Sequence, residues 1–186
     1  MRSELDRRPR DAAPRDLVLP ATALSALWSS LNRQAGSPAA TQALHAAGHE
    51  SGLALFEKLN QGSHGPLAEL DEGAFWHHVE ETFRRGGWGT LSHQRIHPGL
   101  GLLSTADWAE ADAANGDGHP GCAFTAGLFV GFLGRVADGP LAVLEVACRT
   151  RGDGECHFAF GSERAIHELY GLLLDGVDLD RALQHL

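Results

Sequence analysis

Lysine is almost missing from this chain. Lys58 is the only one in 186 residues, and the other basic groups are arginines, thinly spread beyond residue 16. With 15 Lys+Arg against 24 Asp+Glu, the formal net charge is −9. A surface that coats DNA or RNA needs clustered cations to displace counterions, so nucleic acid is excluded as a partner. Long hydrophobic runs are missing too. The longest charge-free apolar stretch, residues 123–134 (AFTAGLFVGFLG), is too short and too glycine-rich to span a bilayer. No hydrophobic segment opens the sequence, so the expectation is no signal peptide, no membrane and a cytoplasmic address. Cysteine is scarce: Cys122, Cys148 and Cys156 are an odd number and no basis for a disulfide framework. Their ordinary fates are buried filler, nucleophile or metal ligand. Catalytic signatures are also lacking. There is no GxSxG elbow and no nicotinamide or flavin fingerprint. Gly86-Gly87-Trp88-Gly89 is not followed by the Lys-Ser/Thr of a phosphate loop. The expectation is that the chain is not an enzyme.

What is present suits one domain. Hydrophobic residues make up 43% and charged residues 21%, enough to bury a core. Residues 1–16 carry five Arg and four acids with little apolar content, and read as a flexible tail; residues 17–186 read as the domain. Leu24, Leu27, Trp28 and Leu31 predict a helix from Pro20 to Gly36. Ser37 can cap a second helix, with Pro38 at its first position, running to about Leu59. Gly48 and Gly52, four apart on that helix, leave room for another backbone. A third helix is predicted from Leu67 to Arg85, burying Phe75, Trp76, Val79 and Phe83.

After Gly87 the period changes. Trp88–Ile96 and Leu100–Trp108 predict two strands joined at Pro98-Gly99. Residues 109–121 read as a polar loop. A buried helix follows from Cys122 to Arg135, with Ala126, Gly127 and Gly131 as small residues. Leu141–Cys148 and Cys156–Phe160 predict a second hairpin about Gly152 and Gly154. Ser162 caps a helix over Glu163–Leu174, and Asp178 starts a last short one. The order is ααα-ββ-α-ββ-αα. This is an α+β fold, with N-terminal helices packed on a four-stranded antiparallel sheet made of two hairpins flanking a central helix.

The chemistry concentrates in the last third. Cys122 opens the central helix, and the Gly152/Gly154 turn folds Cys156 back beside Cys148. Glu145 and Cys148 lie three apart, so a twist or bulge must bring them to one point. Three thiolates and a carboxylate would close a tetrahedral shell around Zn²⁺. On spacing alone, ordinary buried cysteines beside a surface Glu are the better reading, because these are not CxxC pairs. His45 and His49, four apart with Glu50 following, read HxxxHE rather than the HExxH of metalloproteases.

Residues 122–160 nevertheless resemble the signature of the 4-vinyl reductase domain family, related to vesicle-transport-particle subunits and haem-NO-binding domains. The elements that carry it are Cys122 with Ala126-Gly127 and Gly131, Glu145-Val146-Ala147-Cys148-Arg149, and Gly152-Asp153 before Cys156-His157-Phe158. In the family's aromatic-sensing activators a Glu and three Cys at this spacing hold a structural zinc. The resemblance therefore implies Cys122, Glu145, Cys148 and Cys156 as zinc ligands. Those activators hold phenolic ligands between helices and sheet, with a Trp and a His on the ligand hydroxyl. That implies Trp108, within Asp107-Trp108-Ala109-Glu110-Ala111, and either His77 or His78, with Phe75 and Phe124 in the aromatic wall.

The expectation is thus a zinc-stabilised sensor or carrier module for a small hydrophobic or aromatic ligand. The resembling folds pair through their helices, which implies a homodimer. It would act through a partner protein, because these residues show no ATPase loop and no DNA-reading helix pair. Two other readings stand beside it. One is an accessory protein of (bacterio)chlorophyll or tetrapyrrole metabolism, although no single His stands out as a haem ligand. The other is an assembly subunit without a ligand.

Overall fold

The computed structural model describes residues 17–62, 65–111 and 121–186. The expected tail at 1–16 and most of the expected polar loop, residues 112–120, lie outside the described residues. Six α-helices and four strands appear in the expected order. They are α1 (Thr22–Ala35), α2 (Ser37–Asn60), α3 (Glu72–Arg85), β1 (Ser92–His97), β2 (Leu100–Thr105), α4 (Ala123–Val136), β3 (Ala142–Ala147), β4 (Cys156–Gly161), α5 (Glu163–Leu174) and α6 (Leu179–Gln184).

Two caps sit where the sequence puts them. Ser162 Oγ accepts the Ala165 N–H, and Asp178 Oδ1 accepts the Arg181 N–H. Other ends differ. Ser37 is the first residue of α2 rather than its cap; Gly36 takes the cap position at φ +87° with no side-chain bond. The third helix begins at Glu72 instead of Leu67. Asp71 Oδ1 accepts the Ala74 N–H and starts α3, while Leu67–Glu69 forms a separate 3₁₀ turn that buries Leu67. The first strand begins at Ser92, not Trp88. Gly89 lies at φ +124° against the Asp107 backbone, and Asp107 Oδ1 accepts the Thr90 N–H. That geometry bends residues 88–91 away from an extended ladder. The second strand stops at Thr105, before Trp108.

The two hairpins join into one antiparallel sheet of order β1-β2-β4-β3. The central pair, β2 with β4, runs from Leu100 opposite Gly161 to Thr105 opposite Cys156. Alternate residues serve two cores, as the period of a strand requires. Leu103 and Phe158 face α3 and α4, together with Val79, Phe83, Phe129 and Phe132. Leu100, Leu102 and Ala159 face α5 and α6, with Ile166, Leu169 and Ala182.

The helices over the first face pack at backbone distance. A methyl group placed on Gly48 would meet the Phe124 carbonyl, with the Leu128 nitrogen at 3.0 Å. One on Gly52 would overlap the Leu128 carbonyl. The relation is reciprocal, since Gly127 and Gly131 of α4 lie on the carbonyls of His45 and His49 in α2. The glycine spacing read from the sequence thus has its partner: α4 lies in the groove of α2, and its first turn is fixed over the end of the sheet.

Candidate metal centre and aromatic box

A local irregularity of β3 brings the four expected donors together. The β3–β4 register shifts between Glu145 and Ala147, the bulge that the three-residue spacing requires. Cys148 leaves the strand, and a 3₁₀ turn at Arg149–Arg151 ends in Gly152 at φ +105°, returning the chain to Cys156. Asp153 clasps this turn. Its Oδ2 accepts the Cys148 N–H at 2.7 Å and the Arg151 guanidinium at 2.7 Å, and Arg151 also donates to the Val146 carbonyl at 2.9 Å. Cys122 arrives from the start of α4.

The donor atoms of Cys122, Glu145, Cys148 and Cys156 all lie within 4.8 Å of one another. The Sγ atom of Cys122 is 3.9 Å from those of both Cys148 and Cys156. A disulfide is about 2.05 Å long, so these are separate thiols. A tetrahedral thiolate site with bonds of about 2.3 Å places its sulfurs about 3.8 Å apart, close to the observed edges. All three cysteines are fully buried. Glu145 Oε1 is buried with no hydrogen-bond partner, while Oε2 accepts the Cys122 N–H at 3.4 Å. Backbone N–H groups support the sulfurs: Gly121 donates to Cys148 Sγ at 3.3 Å, and Arg149 to Cys156 Sγ at 3.4 Å.

The four acidic groups crowd one another in a buried place. Burial, then the negative charge on Cys148, pushes Glu145 up to about 9. Hydrogen bonds to the other two thiols, then burial, push Cys122 up. Bonds from Cys122 and Cys156 hold Cys148 far below an ordinary thiol. A bound metal ion would let all four act as anions and would occupy the orphaned carboxylate oxygen. The donor set therefore fits a metal ion, and it is the one such group of three or more donors among the described residues. His45 and His49 do not join one; His49 Nδ1 lies 3.7 Å from the exposed Glu50 carboxylate instead.

The same core holds a box of rings. Trp108 is 1% exposed and packs against Phe83, Trp88 and Phe129 at centroid distances of 5.5, 5.7 and 5.9 Å. Phe124 stacks on Trp88 at 5.8 Å, and Phe129 meets Phe158 edge-on at 5.3 Å. The Trp108 indole N–H donates to Thr125 Oγ at 2.7 Å. The Thr125 hydroxyl in turn donates to Glu110 Oε2 at 2.5 Å.

Trp108 and Phe124 thus share one box. Phe75 lies in a second group, stacked on Phe132 at 6.3 Å and edge-on to Trp76 at 4.9 Å. His77 is exposed on α3 and His78 is half-buried. A third histidine stands among rings instead: His93 on β1 stacks on Trp76 at 3.8 Å, close to Phe160. Glu110 is the functional candidate that sequence reasoning missed. It is 6% exposed, and its carboxylate accepts the N–H groups of Phe124 at 2.9 Å and Thr125 at 2.8 Å. Burial pushes it up to about 7, against the pull of those donors. The available signal is a helix opened by Cys122, which has no oxygen to cap it, downstream of an acid in a stretch that reads as loop.

The family model of the 4-vinyl reductase domain matches residues 103–162. The resemblance read from the sequence is therefore borne out, and the matched segment contains all four metal donors together with Trp108, Glu110 and Thr125. No curated protein matches the chain. Among solved structures, the phenol-responsive sensory domain of the transcription activator PoxR, in its crystal structure with phenol, aligns at TM-score 0.65. It is 18% identical, over 80% of this chain and 77% of that one. That likeness establishes the shared fold. A vinyl-4-reductase family protein from Methanocaldococcus jannaschii aligns at TM-score 0.49 and 18% identity, over 79% of this chain and 82% of that one. No helix of the described residues is long and apolar enough to cross a membrane.

Proposed function

We propose that the chain is a zinc-stabilised, non-enzymatic module that binds a small hydrophobic or aromatic molecule and passes the event to a partner protein. The observation that carries this reading is an aromatic box that shares one core with a Cys3Glu cluster, in a fold shared with a phenol-responsive sensory domain. Zinc is the ion that three thiolates and one carboxylate at these spacings suit best. It would supply cross-linking rather than catalysis, because four protein donors leave no open position for a substrate. The chain's own residues do the binding. Phe83, Trp88, Phe124 and Phe129 offer apolar faces around Trp108. The Trp108 N–H is engaged by Thr125, so a ligand hydroxyl must compete with an internal acceptor, and ring shape carries most of the affinity. Exposed Leu17, Val18, Leu19 and Leu27 at the N-terminal end support a homodimer, and the reading places the protein in the cytoplasm.

Native mass spectrometry of the full chain from zinc-replete expression, with phenol as the probe, tests this. One zinc per chain in a dimer is expected, and Cys148→Ser should lose the metal and several kcal/mol of stability. Phenol should raise the melting temperature of the wild type, by the equivalent of about 2.7 kcal/mol at a hundredfold excess over Kd. A chain without zinc refutes the metal reading. A zinc-loaded chain indifferent to phenol and to other small aromatics refutes the ligand reading and favours an assembly subunit.

A further inference from the structure

Glu110 lies outside everything the proposed function uses, yet it is the most heavily engaged buried acid in the molecule's first core. Its place follows from a local deficit. Helix α4 starts at Cys122, which has no oxygen to cap it, and the first turn contains no acidic residue. The N–H groups of that turn need acceptors. Two carboxylates from elsewhere supply them. Glu145, itself a metal donor, takes the Cys122 N–H, and Glu110 takes those of Phe124 and Thr125. Glu110 also receives the Thr125 hydroxyl, whose oxygen holds the Trp108 indole. One short chain of bonds therefore runs from the aromatic box, through Thr125 and Glu110, to the turn that presents a metal donor.

We propose that Glu110 is a positioning residue that couples the metal centre to the Trp108 box, so that a change in one is felt by the other. The proposal rests on the metal reading above. Its physical content is that the first turn of α4 cannot shift without breaking bonds at both ends. Loss of the ion frees Glu145 and Cys122 and loosens the seat of Trp108. Loss of Glu110 frees the helix start and loosens Cys122. A buried partner that fixes a metal ligand commonly changes metal affinity 10–100-fold when removed.

Zinc transfer from the full-length chain to a chromophoric chelator measures the first direction, under conditions where every variant stays folded. Glu110→Gln places an amide NH2 against a backbone donor, and should release zinc about 10–100-fold faster than wild type. Its cobalt-substituted form should keep the sulfur-to-metal charge-transfer bands of three thiolates. Thr125→Val keeps the two backbone bonds to Glu110 and removes the hydroxyl, which is the link between Glu110 and Trp108. It should release zinc at the wild-type rate. The near-ultraviolet circular dichroism of Trp108, taken as the difference from Trp108→Phe, measures the second direction. Zinc removal should change it in the wild type and leave it unmoved in Thr125→Val. Equal release from wild type and Glu110→Gln overturns the role of Glu110 while leaving the metal centre standing. A Trp108 signal indifferent to zinc in the wild type overturns the coupling. A wild-type chain that takes up no zinc overturns the metal reading and the coupling together.

Discussion

Gly48→Ala adds one methyl group where two helix backbones touch. That methyl would lie 2.8 Å from the Phe124 carbonyl carbon and 3.0 Å from the Leu128 nitrogen, besides meeting the carbonyl oxygen. Comfortable contacts of this kind need about 3.5–4.0 Å, and the carbonyl oxygen is the nearest obstacle, so α2 and α4 must part by about 1.5 Å. The obstructing atoms are backbone, and no rotamer change relieves them. Overpacking costs about 1–3 kcal/mol, and this case belongs at the upper end. Alanine recovers about 0.5–1 kcal/mol over glycine inside a helix. The net loss is about 2 kcal/mol, or roughly 4–8 °C in melting temperature for a chain of this size. The same substitution has an internal control. Gly171 in α5 is exposed, with nothing within 4 Å of where an added methyl would stand, so Gly171→Ala should raise the melting temperature by about 1–4 °C. Thermal unfolding of both variants decides the matter. If Gly48→Ala melts with or above the wild type, the two helices are not packed backbone to backbone, and the placement of the α4 turn over the sheet falls with that.

Burial holds His93 below its ordinary 6.5, against the pull of Glu72. Folding therefore favours the neutral ring; stability is full above 6.5 and falls as pH drops through the lower native value. Proton NMR of the ring should give a midpoint below 6.5, and a midpoint at or above it refutes the stacking on Trp76 as a half-buried pair. Asp153→Ala should unclasp the Cys148 turn and weaken zinc binding about tenfold in chelator competition, with Asp153→Asn recovering part of it through its remaining acceptor. Unchanged affinity in Asp153→Ala would mean that the turn holds its shape without the clasp.

Much of this architecture can be read from local signals. Ser162 and Asp178 mark their helices because a capping oxygen acts within three residues. Asp71 does the same, but the apolar Leu67 and Leu70 before it extend the helical pattern and mask the true start. The strand at Trp88 is misplaced for a related reason. Its alternation is sound, but Gly89 and the Asp107 bond to Thr90 bend the backbone, and that bond crosses seventeen residues. The donor residues are legible by type and spacing, whereas their convergence depends on a bulge that shows only in the register of β3 against β4. Glu110 is illegible for the same reason in stronger form. Its partners are fourteen and fifteen residues away, and nothing in the identity of an acid near Trp108 says which N–H groups it will meet. The family pattern supplies what periodicity cannot for the four donors.

The pairing of α2 with α4 bears on where this protein can be cut. The family match begins at Leu103, inside β2, so a fragment restricted to residues 103–162 would keep every metal donor. It would lose β1, half of β2, and the helix whose Gly48 and Gly52 receive α4. The side of α4 that α2 and α3 cover, with Leu128 and Phe132, would then face water. Such a fragment would be a chelating peptide prone to self-association rather than a smaller version of the domain. The smallest piece that can fold must reach back through α2, well upstream of the segment by which the family is recognised.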